Sequence, residues 1–344
     1  MAKMNPLQLG FYAATGKLVG KLPIPENAEI ARKAASEGIV LLENDGILPI
    51  APVRAALYGA GSMDTAFCGT GSGYAFSPYT VSVYQGLRDA GFEITTSLWL
   101  QNYEKKRKEA AKNDKKLTFL DKRFSGITPY FDVDLITKEE LEAAMGSDVA
   151  FYVIKRNAGE TADREAVKGD YYLSDNEKEN ITLLCKTFPK TIVILNTCVV
   201  DARWLKEESG INALVLLGQA GLEAGHALAD ILTGKISPSG RLTDTFALDY
   251  PDYPASRTFS SNDGNAFRKT TRKISMSATV TSTQRDWMSS IRLATASPIR
   301  NFNTRISMSM RTGRKSRSAW MYTIPENGHP RMSLNSMSVH RREN

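Results

Sequence analysis

Residues Phe151–Glu177, FYVIKRNAGETADREAVKGDYYLSDNE, decide how this chain is read. An aromatic and β-branched run over Asp148–Lys155 has the character of a buried strand. It empties into a polar loop, Arg156–Asp170, that holds Glu160, Asp163, Arg164 and Glu165. Ser174-Asp-Asn-Glu177 then has the form of a capping box and predicts the start of a helix. A charged loop after a strand C-terminus is where open α/β sheets place their chemistry, so Glu160 is the leading candidate for a catalytic residue.

The same alternation extends on both sides. Upstream, the pattern predicts helices over Ala28–Glu43 (Ile30, Ala34, Ala35 and Ile39 on one face), Val81–Ala90, Gln101–Lys116 and Thr137–Met145. The last opens on a second capping box, Thr137 with Glu140. Strands are expected at Ala55–Tyr58 and Phe92–Thr96. Downstream come helix Asp175–Phe188, strand Thr191–Asn196, helix Ala202–Glu208, strand Ala213–Leu217 and helix Leu222–Thr233, the last closed by Gly234. Continuous apolar strands alternating with helices imply an α/β fold, a three-layer α/β/α sandwich with a mostly parallel sheet. The expected organisation is a lead-in over 1–26, the sandwich over 27–260 and a tail over 261–344.

Charge separates body from tail. Of 44 Lys and Arg and 37 Asp and Glu, 15 basic and 3 acidic residues lie from Arg268 onward, leaving 29 and 34 in the preceding 267. The body is mildly acidic and the tail strongly basic. Such asymmetry ordinarily suggests a nucleic-acid arm. The tail also holds 7 of the 11 methionines and shows no sustained period, so it is expected not to pack a core. No apolar run approaches the ~20 residues of a membrane span. The Met-Ala-Lys-Met-Asn-Pro start lacks a signal-peptide core, which favours a cytoplasmic protein. Cys68, Cys185 and Cys198 lack metal-ligand spacing, and three scattered histidines (His226, His329, His340) argue against zinc or a His-based triad.

Two glycine-rich stretches compete for attention. Gly59-Ala-Gly61-Ser-Met-Asp64 follows a strand but has Asp in place of the third glycine of a dinucleotide fingerprint, and no P-loop exists. Gly69-Thr-Gly-Ser-Gly73 has two readings: a flexible turn, or a loop whose backbone and Ser72 hydroxyl approach a polar ligand.

Five stretches, in order, resemble the α/β/α sandwich domain of glycoside hydrolase family 3, the β-glucosidase and β-xylosidase group. They are Ala34–Gly46, Gly69–Gly73, Gly159-Glu-Thr-Ala-Asp-Arg164, Gly218-Gln-Ala-Gly-Leu-Glu-Ala-Gly225, and Pro238–Leu242 with Thr245-Phe246. The resemblance covers about residues 27–260. It implies that Glu160 is the general acid/base of retaining hydrolysis and that Ser72 contacts the sugar. It also implies that Asp163 and Arg164 hold the loop as a local ion pair, and that a small β-linked saccharide is the substrate. No cofactor or metal is implied. A retaining glycosidase needs a second carboxylate about 5–5.5 Å away as nucleophile. In this family that Asp lies on a (β/α)8 barrel of typically ~250 residues, for which these 344 residues leave no room. The missing barrel domain is therefore an expected partner, and the isolated chain is expected to be inactive or very weak. Because the matching stretches begin almost at Met1, the resemblance is to the reversed arrangement of some members, with sandwich expected first and barrel last.

Family members continue with Val-Gly-Tyr-Arg-Tyr and Phe-Gly-x-Gly-Leu-Ser-Tyr motifs, which this tail lacks. Reading the third base of each codon with the first two of the next, the codons for Ile291–Phe302 permit Pro-Phe-Gly-Tyr-Gly-Leu-Ser-Tyr-Thr-Glu-Phe. Those for Ser275–Thr283 permit Tyr-Val-Gly-Tyr-Arg-Tyr-Phe-Asp. The tail is accordingly expected to be family sequence read out of frame from near Phe267. That reading removes the grounds for nucleic-acid binding.

Overall fold

A computed structural model describes residues 25–75, 77, 79–113, 131–159, 163–253, 255–260, 262 and 264, together with backbone strands at 289–291, 306–312 and 316–322. The chain divides into two units, residues 1–299 and 300–344. The first is built on a six-stranded sheet in the order β1-β6-β5-β4-β2-β3. Its strands are β1 (Val40–Asn44), β2 (Arg54–Tyr58), β3 (Glu93–Ile94), β4 (Val149–Lys155), β5 (Thr191–Asn196) and β6 (Ala213–Leu216). From β3 across to β6 all neighbours are parallel, while β1 runs antiparallel to β6. The expected α/β/α sandwich is the fold found.

Successive residues of a strand face opposite sides, and the central strands are apolar on both. Phe151, Val153, Ile192 and Ile194 pack into one cluster with Val83, Leu87, Leu228 and Ile231. Tyr152, Ile154, Val193 and Leu195 pack into another with Trp99, Tyr103, Ile181 and Leu184. Helices α1 (Pro25–Gly38), α2 (Val83–Asp89) and α7 (Ala224–Leu232) cover the first face. Helices α3 (Ser97–Asn113) and α5 (Asp175–Thr187) cover the second, with α4 (Lys138–Ala143) and α6 (Arg203–Glu207) at its margins. Both capping boxes form: Thr137 with Glu140, and Ser174 with Glu177, each exchanging a side-chain and a backbone hydrogen bond.

One expected element is divided. The helix over Ala28–Glu43 ends at Gly38, and Val40–Asn44 is instead the antiparallel edge strand β1. Gly-Ile-Val-Leu-Leu is a short continuous apolar run, in which helix and strand periods cannot be told apart. Burial on both sides of a sheet decides in favour of the strand. The helix face differs as well: Ile30 is 66% exposed, whereas Ala35 is buried. The start of α3 also reaches back to Ser97, where Trp99, Leu100 and Tyr103 anchor an otherwise charged helix.

In the tail, β8 (Ser289–Ile291) pairs antiparallel with β7 (Phe246–Ala247). The second unit contains an antiparallel hairpin of β9 (Ile306–Thr312) and β10 (Ser316–Tyr322). Ile306-Ser-Met-Ser-Met310 does alternate, a two-residue period too short to stand out in a Ser-rich background.

Candidate functional site

The chain passes from β2 outward to β3 and then returns to β4 on the other side of β2. The direction of winding therefore reverses between β2 and β4, and the crevice at their C-terminal ends is where open α/β sheets bind ligands. Four loops meet at this edge, following β2, β4, β5 and β6.

The loops after β2 and β4 are joined directly. Thr70 and Gly159 form a parallel bridge, with the Thr70 amide donating to the Ala158 carbonyl at 3.1 Å. Gly159 is required here by space: a Cβ would lie 2.1 Å from Thr70 Oγ1. The bridge sets the two family motifs side by side. Glu160 follows Gly159 immediately but lies outside the described residues. Ser72 sits two residues beyond Thr70, in the 3-10 turn Gly71–Gly73, and its side chain is likewise outside what is described.

The rest of the β4 loop is tied largely to its own segment and the helix that follows. Arg156 is buried and makes a bidentate pair with Glu177, at 2.8 and 2.6 Å, while its Nε donates to the Asp170 carbonyl at 2.8 Å. Glu177 also accepts the Ser174 amide at 2.9 Å, so one carboxylate serves both the helix cap and the buried arginine. Arg164 pairs with Asp170, not with Asp163. It also donates to Thr197 Oγ1 at 3.0 Å and to the Asp170 carbonyl at 3.0 Å. Asp163 is exposed. The expected Asp163–Arg164 pair is thus replaced by one six residues away, because Asp170 closes the loop from its far end and also accepts the Glu165 amide at 2.5 Å.

The β2 loop is held by distant residues. Asn196, fully buried at the end of β5, accepts the Ala66 amide at 2.6 Å. Its Nδ2 donates to the carbonyls of Ala66 (2.9 Å) and Gly218 (2.7 Å). One amide side chain thereby joins three of the four loops. The Gly221 amide donates to the Phe67 carbonyl at 3.0 Å, and Gln219 Nε2 to Asn157 Oδ1 at 2.7 Å. Lys155, the last residue of β4, meets Asp64 Oδ2 at 2.5 Å. Neither Asn196 nor Asp170 stood out in the sequence. Their positions at a strand end and a loop end were the available signal, and neither forms part of a motif.

His226 lies on α7 as expected, but between two carboxylates, Glu223 and Asp89. Among the described residues no helix is long and apolar enough to cross a membrane.

Comparison with known proteins agrees with this architecture. The pattern of the Glycosyl hydrolase family 3 C-terminal domain matches residues 39–280. β-Glucosidase A of Butyrivibrio fibrisolvens is 32% identical over 289 residues, covering 72% of this chain and 33% of that protein. A β-glucosidase of Ruminococcus albus is 31% identical over 248 residues, covering 71% and 25%. Among solved structures, β-glucosidase 3B from Thermotoga neapolitana in complex with glucose superimposes with a TM-score of 0.70. It is 29% identical, over 85% of this chain and 41% of that one. The chain therefore spans a quarter to a third of the length of these two relatives.

Proposed function

The chain belongs to glycosyl hydrolase family 3, and from that premise we propose that it supplies the acid/base half of a retaining β-glucosidase site. Glu160 is the proton donor to the departing glycosidic oxygen and Ser72 a sugar contact. The nucleophilic carboxylate belongs to the barrel portion of the relatives, which these residues do not span. The observation that carries this reading is the Thr70–Gly159 bridge, which sets the Ser72 turn beside the residue that precedes Glu160. A carboxyl at that position gains its acid character from the barrel: a neighbouring negative nucleophile raises its pKa, so it holds its proton near neutrality.

Assay of the purified chain on an aryl β-glucoside tests the proposal. The expected outcome is negligible turnover alone and glucosidase activity when a family barrel is supplied in trans, with Glu160→Gln removing that activity by about 100-fold or more. Turnover at ordinary enzyme rates by the isolated chain, lost in Glu160→Gln, would sink the half-site reading. A second reading, a saccharide-binding module without catalysis, predicts calorimetric heat with glucose or cellobiose and no activity even with the barrel. The shifted-frame reading of the tail is tested by the nucleotide sequence downstream of codon 260.

A further inference from the structure

The Gly218–Gly225 motif contributes to the site through its backbone and the Gln219 side chain, while its Glu223 is a buried carboxylate with a set of partners of its own. One oxygen accepts the Tyr79 hydroxyl. The other meets Nδ1 of His226 at 2.6 Å. Nε2 of the same ring meets Asp89 Oδ2 at 2.8 Å, and the second Asp89 oxygen accepts Gln85 Nε2 at 2.6 Å. The network joins three segments: the end of the β2 loop, the last turn of α2 and the first turn of α7. Burial, reinforced by Glu223, pushes the Tyr79 hydroxyl up to about 12.

The backbone reinforces the same junction. Val81 donates to the Leu222 carbonyl at 2.8 Å, and Gly225 donates to the Val81 carbonyl at 3.0 Å. Helices α2 and α7 touch backbone to backbone, since a Cβ on Gly86 would lie 2.1 Å from the Gly225 carbonyl. The β2 loop is therefore suspended between two buried polar anchors, Asn196 at Ala66 and Glu223 at Tyr79. The bridge to Gly159 and the Ser72 turn lie between them.

We propose that Glu223 is a positioning residue for the saccharide-contacting loop. Its carboxylate, oriented by His226 and through it by Asp89, fixes Tyr79 and so sets where the Ser72 turn stands beside the Glu160 loop. This rests on the functional reading above for the loop's role, but not for its anchoring.

Site-resolved amide exchange on the full chain, combined with amide-shift titration by p-nitrophenyl β-glucoside, tests it. Tyr79→Phe removes one hydroxyl and Glu223→Ala the whole anchor. Each is expected to speed exchange across residues 66–82 by about tenfold while leaving β4 and β5 unchanged. Glu223→Gln, which keeps an acceptor for Tyr79, is expected to restore most of the protection. Glucoside shifts in that loop are expected to weaken in parallel. A merely structural role would instead raise exchange throughout the sheet together with a fall in Tm. Unchanged exchange in 66–82 for Tyr79→Phe, or a uniform rise in Glu223→Ala, overturns the positioning role. If the loop loosens as expected but the wild-type chain shows no glucoside shift in 66–82 or 157–165, the anchor stands. The sugar-contacting role then falls, and the positioning claim with it.

Discussion

The loops after β4 and β2 meet at one bridge but differ in how far away their main fastenings lie. The β4 loop is closed chiefly by residues within a short stretch of chain, Arg156 with Glu177 and Asp170 and Arg164 with Asp170, with Thr197 and Gln219 as longer-range ties. The β2 loop is held from far away, by Asn196, 130 positions on from Ala66, and Glu223, 144 on from Tyr79. A locally closed loop can form as soon as its own segment folds. A remotely held loop takes its shape after the whole sheet is assembled, because loop-closure entropy must be met before its contacts form.

The sharpest way to break that contrast is Glu177→Ala, which removes the carboxylate paired with the buried Arg156 guanidinium while its bonds to the Asp170 and Lys155 carbonyls remain. Urea unfolding should show a loss of about 3–5 kcal/mol, the usual cost of breaking a buried ion pair by removing one member, with amide protection failing first in 156–173. A loss below about 1 kcal/mol would mean that the local closure contributes little.

Asn196→Ala comes next. It strips partners from the Ala66 amide and from the carbonyls of Ala66 and Gly218, the first of them buried, and should cost about 2–3 kcal/mol. Here the loosening should appear in 66–82 and 218–223 together, far apart in sequence, whereas Glu177→Ala loosens one contiguous stretch. Loosening confined to the vicinity of residue 196 would erase the distinction.

These two residues also mark what sequence could and could not disclose. Ser174 and Glu177 were recognisable as a helix start because capping geometry depends on a three-residue spacing. The second duty of Glu177, to Arg156, is invisible at that range. Asn196 occupies the end of an apolar strand, where a single amide reads as a terminator. Its three bonds exist because β5 lies between β4 and β6 in the assembled sheet. Strand β1 escapes the sequence for a related reason, since the four apolar residues Ile39–Leu42 carry no usable period until the sheet edge claims them. Arg164 was assigned to its immediate neighbour Asp163, whereas its partner Asp170 is selected by how the loop turns back.

Ser174→Ala separates the two duties of the capping box. It removes the acceptor for the Glu177 amide, at 3.1 Å, but leaves Arg156–Glu177 in place, so about 1 kcal/mol is expected. An effect as large as that of Glu177→Ala would show that cap and ion pair form one unit.

The smallest effect expected is in pH, at a pair remote from both loops. Asp230 is buried, which opposes its charge, but the Arg32 hydrogen bonds and charge prevail, helped by Lys235, and hold its carboxyl below the ordinary 3.8. A depressed folded-state pKa contributes stability that is complete above the unfolded value and drains away as pH falls through the folded one. The stability difference between wild type and Asp230→Asn should therefore stay flat from about pH 5 to 7 and shrink below about pH 4. A difference unchanged at low pH would show that Arg32 interacts equally well with the uncharged group.

The borders of the sheet bear on handling this domain apart from a barrel. One outer strand, β3, has just two residues, and the other, β1, is interrupted by a register shift between Leu41 and Glu43. Such margins present few free amides and carbonyls to a second copy, which is how natural sheets discourage edge-to-edge ladders. In a concentrated preparation, self-association should proceed through side-chain surfaces and not through cross-molecule β-pairing.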